Sequence, residues 1–484
     1  MAERIPHWLT KQAHLAPHER AIETDQNSMT FLQLKEASER YARKLAQLGV
    51  TEGTHVGILS TNELPMAIAI HALSYLRAVC VMLNTRLTEE ELTYQLKDAE
   101  VYLVLTSDRL ETGVKQMDLP VHVKTFSSVH QLSEKQIDLQ EEISLDDPFT
   151  IMYTSGTTGF PKGVVHTYGN HWWSAISSVL NLGLDQNDKW LAPLPFFHVS
   201  GFSILMRSII YGMPVYVIEK FEAQIIHDAM MNKGVTIVSV VTVMLQRLMT
   251  LLANERYPKS LRCMLLGGGP APQSLLEKAK EKGIPVFQSY GMTETSSQIV
   301  TLRPQDALQK IGSSGKPLFP AQLQIHEKDC TGVGEIYVKG PMVSNGYFAN
   351  ERANEEVFQH GWLKTGDLGY VDEEGFLYVV DRRKDLIISG GENIYPSEIE
   401  NVLSNMDGIQ EVGVIGKHDD TWGKVPVAFI VPHGEGCSED EVKTYAKKHL
   451  ASYKIPTEIY FVDELPRNAS NKLVRHRLEQ WLKS

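Results

Sequence analysis

Apolar helix and strand segments alternate along most of this chain, and that alternation restricts the fold more than any other feature. From about Thr30 the positions Leu34, Ala37, Tyr41, Leu45 and Leu48 recur at helical spacing, with Thr30 placed to cap the first turn and Gly49 to end the last. His55–Ser60 then reads as a strand, Glu63–Ala78 as a helix, Val79–Leu83 as a strand, Glu89–Glu100 as a helix and Val101–Thr106 as a strand. Strands joined through helices are crossovers onto a parallel sheet. A second alternating series runs from about Thr150 to Gly291, with strands predicted at Ile151–Tyr153, Pro214–Ile218, Thr236–Val241 and Arg262–Leu266. Beyond about Gly312 short strands lie between glycine turns, at Gly334–Gly340 and Gly375–Val380. After Leu386 the pattern reads as a compact α+β unit: a helix near Pro396–Met406, strands at Val412–Ile415 and Val425–Val431, and a final helix.

At 484 residues the chain exceeds what one hydrophobic core usually serves. The predicted class is α/β: a large N-terminal domain (1–381) of parallel-type sheets plus a small β subdomain, then a small mobile α+β C-terminal domain (386–484). The charged run Asp381-Arg382-Arg383-Lys384-Asp385 separates two apolar strands and marks the boundary, with the hinge at 382–385. A net charge of −12 argues against broad nucleic-acid binding, which needs a basic face to displace counterions. Cys80, Cys263, Cys330 and Cys437 are widely spaced with no CxxC, which argues against disulfides or a zinc site and fits a reducing compartment. The first residues lack the apolar core of a signal peptide, and the longest apolar stretch, near Ile237–Leu245, is far too short to span a bilayer. The expectation is a cytoplasmic protein acting on small molecules, with no membrane association; a homo-oligomer stays open.

The segment Tyr153-Thr154-Ser155-Gly156-Thr157-Thr158-Gly159-Phe160-Pro161-Lys162-Gly163 carries the most chemistry. Three glycines let the backbone approach an anion closely, while four Ser/Thr hydroxyls and Lys162 supply donors. Following a strand, it reads as a phosphate-gripping loop. A plain surface turn is the bland alternative, but eleven residues of this composition are far more specific than a lone GxGxxG. The Walker pattern fails, because Gly163 rather than Ser or Thr follows Lys162.

This loop resembles the signature of the adenylate-forming superfamily, which includes acyl- and aryl-CoA ligases, peptide-synthetase adenylation domains and luciferases. The resemblance continues in order along the chain. Leu194-Pro195-Phe196-Phe197-His198 is similar to the aromatic–His element at the acid pocket. Tyr290-Gly291-Met292-Thr293-Glu294 is similar to the adenine-stacking and metal-binding motif, and Lys364-Thr365-Gly366-Asp367 to the ribose-binding motif. Asp381-Arg382-Arg383-Lys384 resembles the hinge, and Pro466-Arg467-Asn468-Ala469-Ser470-Asn471-Lys472 the catalytic-lysine loop, with Asn471 departing from the usual glycine.

The resemblance implies an AMP-forming acid–CoA ligase that uses ATP, Mg²⁺ and CoA. ATP would be held by Thr154, Ser155, Gly156, Thr157, Thr158, Gly159 and Lys162, by Gln288, Ser289, Tyr290, Gly291 and Thr293, and by Asp367 and Arg382. Glu294 and Thr154 supply hard oxygens for Mg²⁺. Lys472 is the implied catalytic lysine, since an ammonium bridging carboxylate and α-phosphate stabilises the charge built between two anions. His198 would orient the carboxylate or gate the pocket. Lys384 falls at the pivot, and Gly390 and Gly391 leave room for a pantetheine arm. In isolation an exposed lysine or aspartate would read as merely solvated; the ordered set of motifs changes that weighing. A silent nucleotide-binding regulator would have lost Lys472, Glu294 or Asp367, and all three are present.

Gly267-Gly268-Gly269-Pro270-Ala271-Pro272 and Gly291-Met292-Thr293-Glu294-Thr295-Ser296-Ser297-Gln298 resemble the 2-succinylbenzoate–CoA ligases of menaquinone biosynthesis. That acid carries a second carboxylate and a ketone, so a cation or donor cluster is expected in its pocket. The candidates are His198, Ser200, Arg207, Gly267, Gly268, Gly269, Thr293 and Ser297. Lys454, Arg475 and Arg477 are basic candidates for the CoA phosphates. The rivals are a ligase for another aromatic or fatty acid and a stand-alone adenylation domain loading a carrier protein.

Overall fold

The computed structural model describes all residues except 1–2, 155–160, 269–272, 304–305, 307–308, 311, 329–331, 383–384, 386, 395, 435, 467–472, 474 and 483–484; of 380–382, 393, 397, 401 and 476 only the backbone is described. These residues form two compact units. The first comprises Met1–Thr85, Leu96–Met152 and Gly163–Val380; the second comprises Asp381–Ser484 with Arg86–Gln95 and Tyr153–Lys162.

The predicted alternation folds in the first unit as two large sheets, each with a parallel centre. One has seven strands, ordered Gly346–Tyr347, Lys162–Thr167, Pro148–Thr154, Val79–Leu83, His55–Leu59, Leu103–Thr106 and His122–Thr125. Val79–Leu83 is buried at every position, as a strand covered on both faces must be, which is why it reads as an unbroken apolar run. The other has nine strands, ordered Lys316–Pro317, Ser297–Leu302, Val286–Met292, Cys263–Gly267, Ile237–Val241, Trp190–Ala192, Val215–Val217, Arg20–Glu23 and Ser28–Thr30. Its parallel centre gives way to antiparallel pairs at both ends. One apolar cluster, including Phe31, Leu34, Ile70, Leu73, Phe149 and Phe202, runs between the elements of these sheets. A five-stranded antiparallel sheet, containing Gly334–Lys339 and Trp362–Val371, completes the unit.

Two local expectations shift. The helix Phe31–Gln47 starts with a reciprocal cap between Thr30 and Gln33, yet its inward stripe runs through Ser38, Ala42 and Ala46, with Ala37 and Leu48 only half-buried. The next helix covers Leu64–Tyr75 rather than Glu63–Ala78, and Arg77 adopts φ 54°, a left-handed turn that helical geometry does not admit. Cys80 and Cys263 are buried free thiols on strands, and burial pushes the Cys263 thiol up to about 12.

The second unit carries a mixed sheet ordered Glu392–Ile394, Ile387–Ser389, Gly423–Pro432 and Ile409–Asp419, with Glu458–Phe461 parallel beside Gly423–Pro432. The helices Pro396–Ser404 and Glu439–His449 pack on it through Ile399, Leu403, Val442 and Ala446. No helix among the described residues is long and apolar enough to cross a membrane.

Candidate functional site

The phosphate-loop sequence lies between two strands of the seven-stranded sheet. Pro148–Thr154 leads in, pairing Thr150, Ile151 and Met152 with Cys80, Val81 and Met82, and Lys162–Thr167 leads out. Thr154 and Lys162 are both half-buried. Ser155, Gly156, Thr157, Thr158 and Gly159 lie outside the described residues.

The nucleotide motifs gather on the antiparallel pair Val286–Met292 and Ser297–Leu302. Register slips between Tyr290 and Gly291, and a Cβ on Gly291 would sit 2.1 Å from the carbonyl oxygen of Ser297, so only glycine permits the approach. The reversal is a short 3₁₀ turn, Thr293–Thr295. Thr295 Oγ1 accepts from the Met292 amide at 2.9 Å and lies 2.7 Å from the Ser297 carbonyl, locking the turn across its mouth. Ser296 and Ser297 leave it with φ of 53° and 108°, a strained path for non-glycine residues.

That turn buries Glu294, whose Oε1 accepts from the Tyr347 hydroxyl at 2.8 Å, while its carbonyl accepts from the Ser344 amide at 2.8 Å. Tyr290 donates its hydroxyl to Asp367 Oδ2 at 2.7 Å. Asp367 is itself buried on the strand Trp362–Val371, where its amide donates to Thr365 Oγ1 at 3.1 Å and Gly366 takes φ 72°. Gln288 is buried with no partner for its Nε2 among the described residues, and Ser289 donates to the Leu266 carbonyl at 3.0 Å. No group of three or more His, Cys, Asp or Glu among the described residues could cage a metal by itself. A buried carboxylate such as Glu294 would be compatible with Mg²⁺, an ion that takes few protein ligands and fills its shell with water and phosphate oxygens.

The acid-side candidates centre on the helix Val199–Tyr211. His198 is its N-cap residue, with its ring edge-on to Phe197 at 4.7 Å. A Cβ on Gly201 would lie 2.2 Å from the Pro195 carbonyl oxygen, so glycine there lets the helix sit against Leu194–Pro195. Ser200, Ser203 and Arg207 share one face by helical spacing, and Ser203 Oγ reaches Ser297 Oγ at 3.4 Å. Arg207 is 1% exposed, lies over the Trp190 ring at 5.2 Å, and has no hydrogen-bond partner for Nε or Nη2 among the described residues. Burial lowers its pKa from the ordinary guanidinium value. Gly267 ends the strand Cys263–Gly267 and Gly268 takes φ 82°; Gly269 lies outside the described residues.

In the second unit Gly390 and Gly391 make the turn between Ile387–Ser389 and Glu392–Ile394 with φ of 56° and 90°, and a Cβ on Gly390 would strike the Trp422 ring. Lys384, Lys472 and the side chain of Arg382 lie outside the described residues. Two of the three basic candidates for CoA phosphates are already paired. Lys454 is buried between Glu91 at 2.8 Å and Glu398 at 2.6 Å, and Arg475 grips both oxygens of Glu400 at 2.7 and 2.6 Å.

Sequence reasoning missed Tyr347 and a buried polar line of Thr150, His166 and His171. His166 Nε2 lies 2.7 Å from the Thr293 carbonyl oxygen, His166 Nδ1 3.1 Å from Thr150 Oγ1, and Thr150 Oγ1 3.0 Å from His171 Nε2. Burial pulls His166 down to about 4 and His171 well below the usual histidine value, which favours the neutral form of both rings. Histidines in the signature-flanking strand and helix were the available signal.

The AMP-binding enzyme family model matches residues 9–348, and the AMP-binding enzyme C-terminal domain model matches 398–472. The chain is 59% identical to a 2-succinylbenzoate–CoA ligase of Oceanobacillus iheyensis over 99% of this chain and all of that one. It is 53% identical to one of Bacillus cytotoxicus, covering 99% of each. Among solved structures it resembles a doubly substituted o-succinylbenzoate CoA synthetase of Bacillus subtilis bound to its product analogue OSB-NCoA, at 47% identity, TM-score 0.93, covering 99% of this chain and 98% of that one. The same synthetase in complex with ATP and magnesium ion matches at 46% identity and TM-score 0.76, covering 99% of this chain and 100% of that one. A buried Glu294 on a locked turn, a tyrosine tied to an aspartate in another sheet and matches to the family models of both domains converge on one assignment: the chain belongs to the AMP-binding enzyme family.

Proposed function

We infer that the chain is an AMP-forming 2-succinylbenzoate–CoA ligase serving menaquinone biosynthesis in the cytoplasm. A carboxylate oxygen of the acid attacks the α-phosphorus of ATP, and pyrophosphate leaves. The sulfur of CoA then attacks the acyl carbon, losing its proton, and AMP leaves. The observation that carries the choice of acid is Arg207, a fully buried guanidinium with two unpaired nitrogens on the helix that begins at His198. A buried guanidinium with two bare nitrogens and no carboxylate among the described residues is costly unless an anion completes it, and the second carboxylate of 2-succinylbenzoate is such an anion. Ser200, Ser297, Thr293 and the Gly267–Gly269 backbone would frame the ring and ketone, and His198 would orient the reacting carboxylate.

Tyr290 would offer its ring to adenine, with Gln288, Ser289 and Gly291 along the same strand, while Asp367 and Arg382 would take the ribose oxygens. Thr154–Lys162 would hold the phosphates. Mg²⁺ at Glu294 and Thr154 would neutralise phosphate charge; the chain's part is to hold those oxygens in place. Lys472 would stabilise the first transition state. With 1–381 and 386–484 as domains, Lys384 would serve as pivot and Gly390–Gly391 as the passage for the pantetheine arm. ATP–pyrophosphate exchange with 2-succinylbenzoate, benzoate and octanoate tests the reading. Exchange fastest with 2-succinylbenzoate is expected; equal or greater exchange with octanoate would overturn the substrate. Acceptance of a carrier protein in preference to CoA would overturn the acceptor.

A further inference from the structure

The buried line beneath the Thr293–Glu294 turn has only one consistent proton arrangement. A carbonyl oxygen can only accept, so His166 Nε2 carries the proton shared with Thr293 at 2.7 Å. In a neutral ring Nδ1 is then the acceptor, and it must receive the single hydroxyl proton of Thr150 at 3.1 Å. Thr150 Oγ1, having given that proton, accepts from His171 Nε2 at 3.0 Å. Every bond therefore runs toward Thr293, and both tautomers are set by the chain itself. His166 and Thr150 are fully buried and His171 nearly so, with no solvent to replace a lost bond.

The members sit where this direction matters. Thr150 is on the strand entering the phosphate loop, His166 on the strand leaving it, and His171 in the first turn of the helix Tyr168–Leu182. Their common end point is the residue before Glu294. Ser296 also donates to the Thr293 carbonyl, at 3.0 Å, but from within the turn itself. Tyr347 and Ser344 hold Glu294 from the opposite segment. The His166 bond thus ties this turn to the strand that leaves the phosphate loop, and Thr150 extends the line to the strand that enters it.

We propose that His166, ordered by Thr150 and His171, is a positioning residue that sets the Thr293–Glu294 turn for Mg–ATP. It rests on the role assigned to Glu294 above. The test uses the full chain with His166→Leu, His166→Gln and Thr150→Val, and reads Mg–ATP affinity by calorimetry alongside both half-reactions and thermal stability. His166→Leu should weaken Mg–ATP binding and raise the half-saturating Mg²⁺ in pyrophosphate exchange by about tenfold, roughly what one lost buried hydrogen bond is worth. Its rate of thioester formation from supplied acyl-adenylate should stay at the wild-type value, and its KM for the acid, which Thr293 also frames, should change less than its affinity for Mg–ATP. His166→Gln, whose amide can donate at the Nε2 position, should recover most of the affinity. Wild-type Mg–ATP affinity in His166→Leu overturns the proposal, as does an equal fall in every parameter with no recovery in His166→Gln. Should His166→Leu not fold, Thr150→Val decides: weakened Mg–ATP binding supports the proposal and wild-type binding overturns it. A wild-type enzyme inert with 2-succinylbenzoate but active with another acid would sink the substrate reading and leave the Mg–ATP readout standing.

Discussion

Tyr290 and Asp367 are joined directly, the phenol hydroxyl donating to Oδ2 at 2.7 Å across 77 residues of chain. The adenine-motif strand and the ribose-motif strand are therefore one device rather than two neighbours. The bond holds the Tyr290 ring in one plane and aims the Asp367 carboxylate. Removing the hydroxyl while keeping the ring separates these effects. Tyr290→Phe should raise the KM for ATP about tenfold and lower stability by ~1–2 kcal/mol, the cost of leaving a buried carboxylate short of a donor. Steady-state kinetics and urea denaturation check this; an unchanged KM for ATP would show that the ring alone matters.

Arg207 offers a test in which function and stability move apart. Its guanidinium is buried without a carboxylate among the described residues, so Arg207→Met should leave the fold within ~1 kcal/mol of wild type or make it more stable. Exchange with 2-succinylbenzoate should nevertheless fall about a hundredfold, because a dianionic acid would lose its charge-assisted partner. Any residual exchange with benzoate should be unaffected. A large loss of stability with no change in the preference among acids would make Arg207 a structural residue.

Lys472→Ala should abolish adenylate formation yet spare thioester formation from supplied acyl-adenylate, since in the proposed role its ammonium would act on charge that develops only in the first step. Equal losses in the two half-reactions, measured separately by rapid quench, would remove the division of labour between them.

Asp188 provides a pH test of the scaffold. Burial alone pushes its carboxyl up, but the Arg262 guanidinium, the Asp185 amide and the Thr236 hydroxyl more than offset this, and its pKa lies below the ordinary value. A depressed folded pKa contributes stability that is present above the unfolded carboxylate value of about 3.9 and lost as pH falls through the folded one. Asp188→Asn should thus cost ~2–3 kcal/mol at pH 7, and the gap to wild type should narrow below about pH 4. Urea denaturation of both proteins across that range decides it; a gap constant with pH would mean the charge on Asp188 is irrelevant.

Gly201 tests how closely the acid-site helix must approach its neighbour. A methyl group 2.2 Å from the Pro195 carbonyl cannot be accommodated without moving backbone. Gly201→Ala should destabilise by ~1–3 kcal/mol and raise the KM for the acid while sparing that for ATP. Thermal denaturation and kinetics against each substrate would show whether the displacement stays on the acid side.

What the sequence by itself determined were the elements and the chemistry of the loops. The strand Val79–Leu83 and the capped helix after Thr30 follow from periodicity and capping, which depend on residues a few positions apart. The motifs around Glu294, Asp367 and Lys472 stand out as candidates in the sequence because phosphate and ribose chemistry demands particular side chains in short, contiguous runs. Tertiary structure alone decided which polar groups meet. His166 finds Thr293 across 127 residues, and Tyr347 finds Glu294 across 53. A helical arginine looks solvated in sequence, yet Arg207 is buried because its helix is covered on the face that also carries Ser203. Lys454 looked available to a phosphate until two carboxylates were found around it. Hydrophobic periodicity is a local code, whereas a buried hydrogen bond is satisfied by whatever the packed sheets bring near, and that pairing leaves no trace in the spacing of residues along the chain.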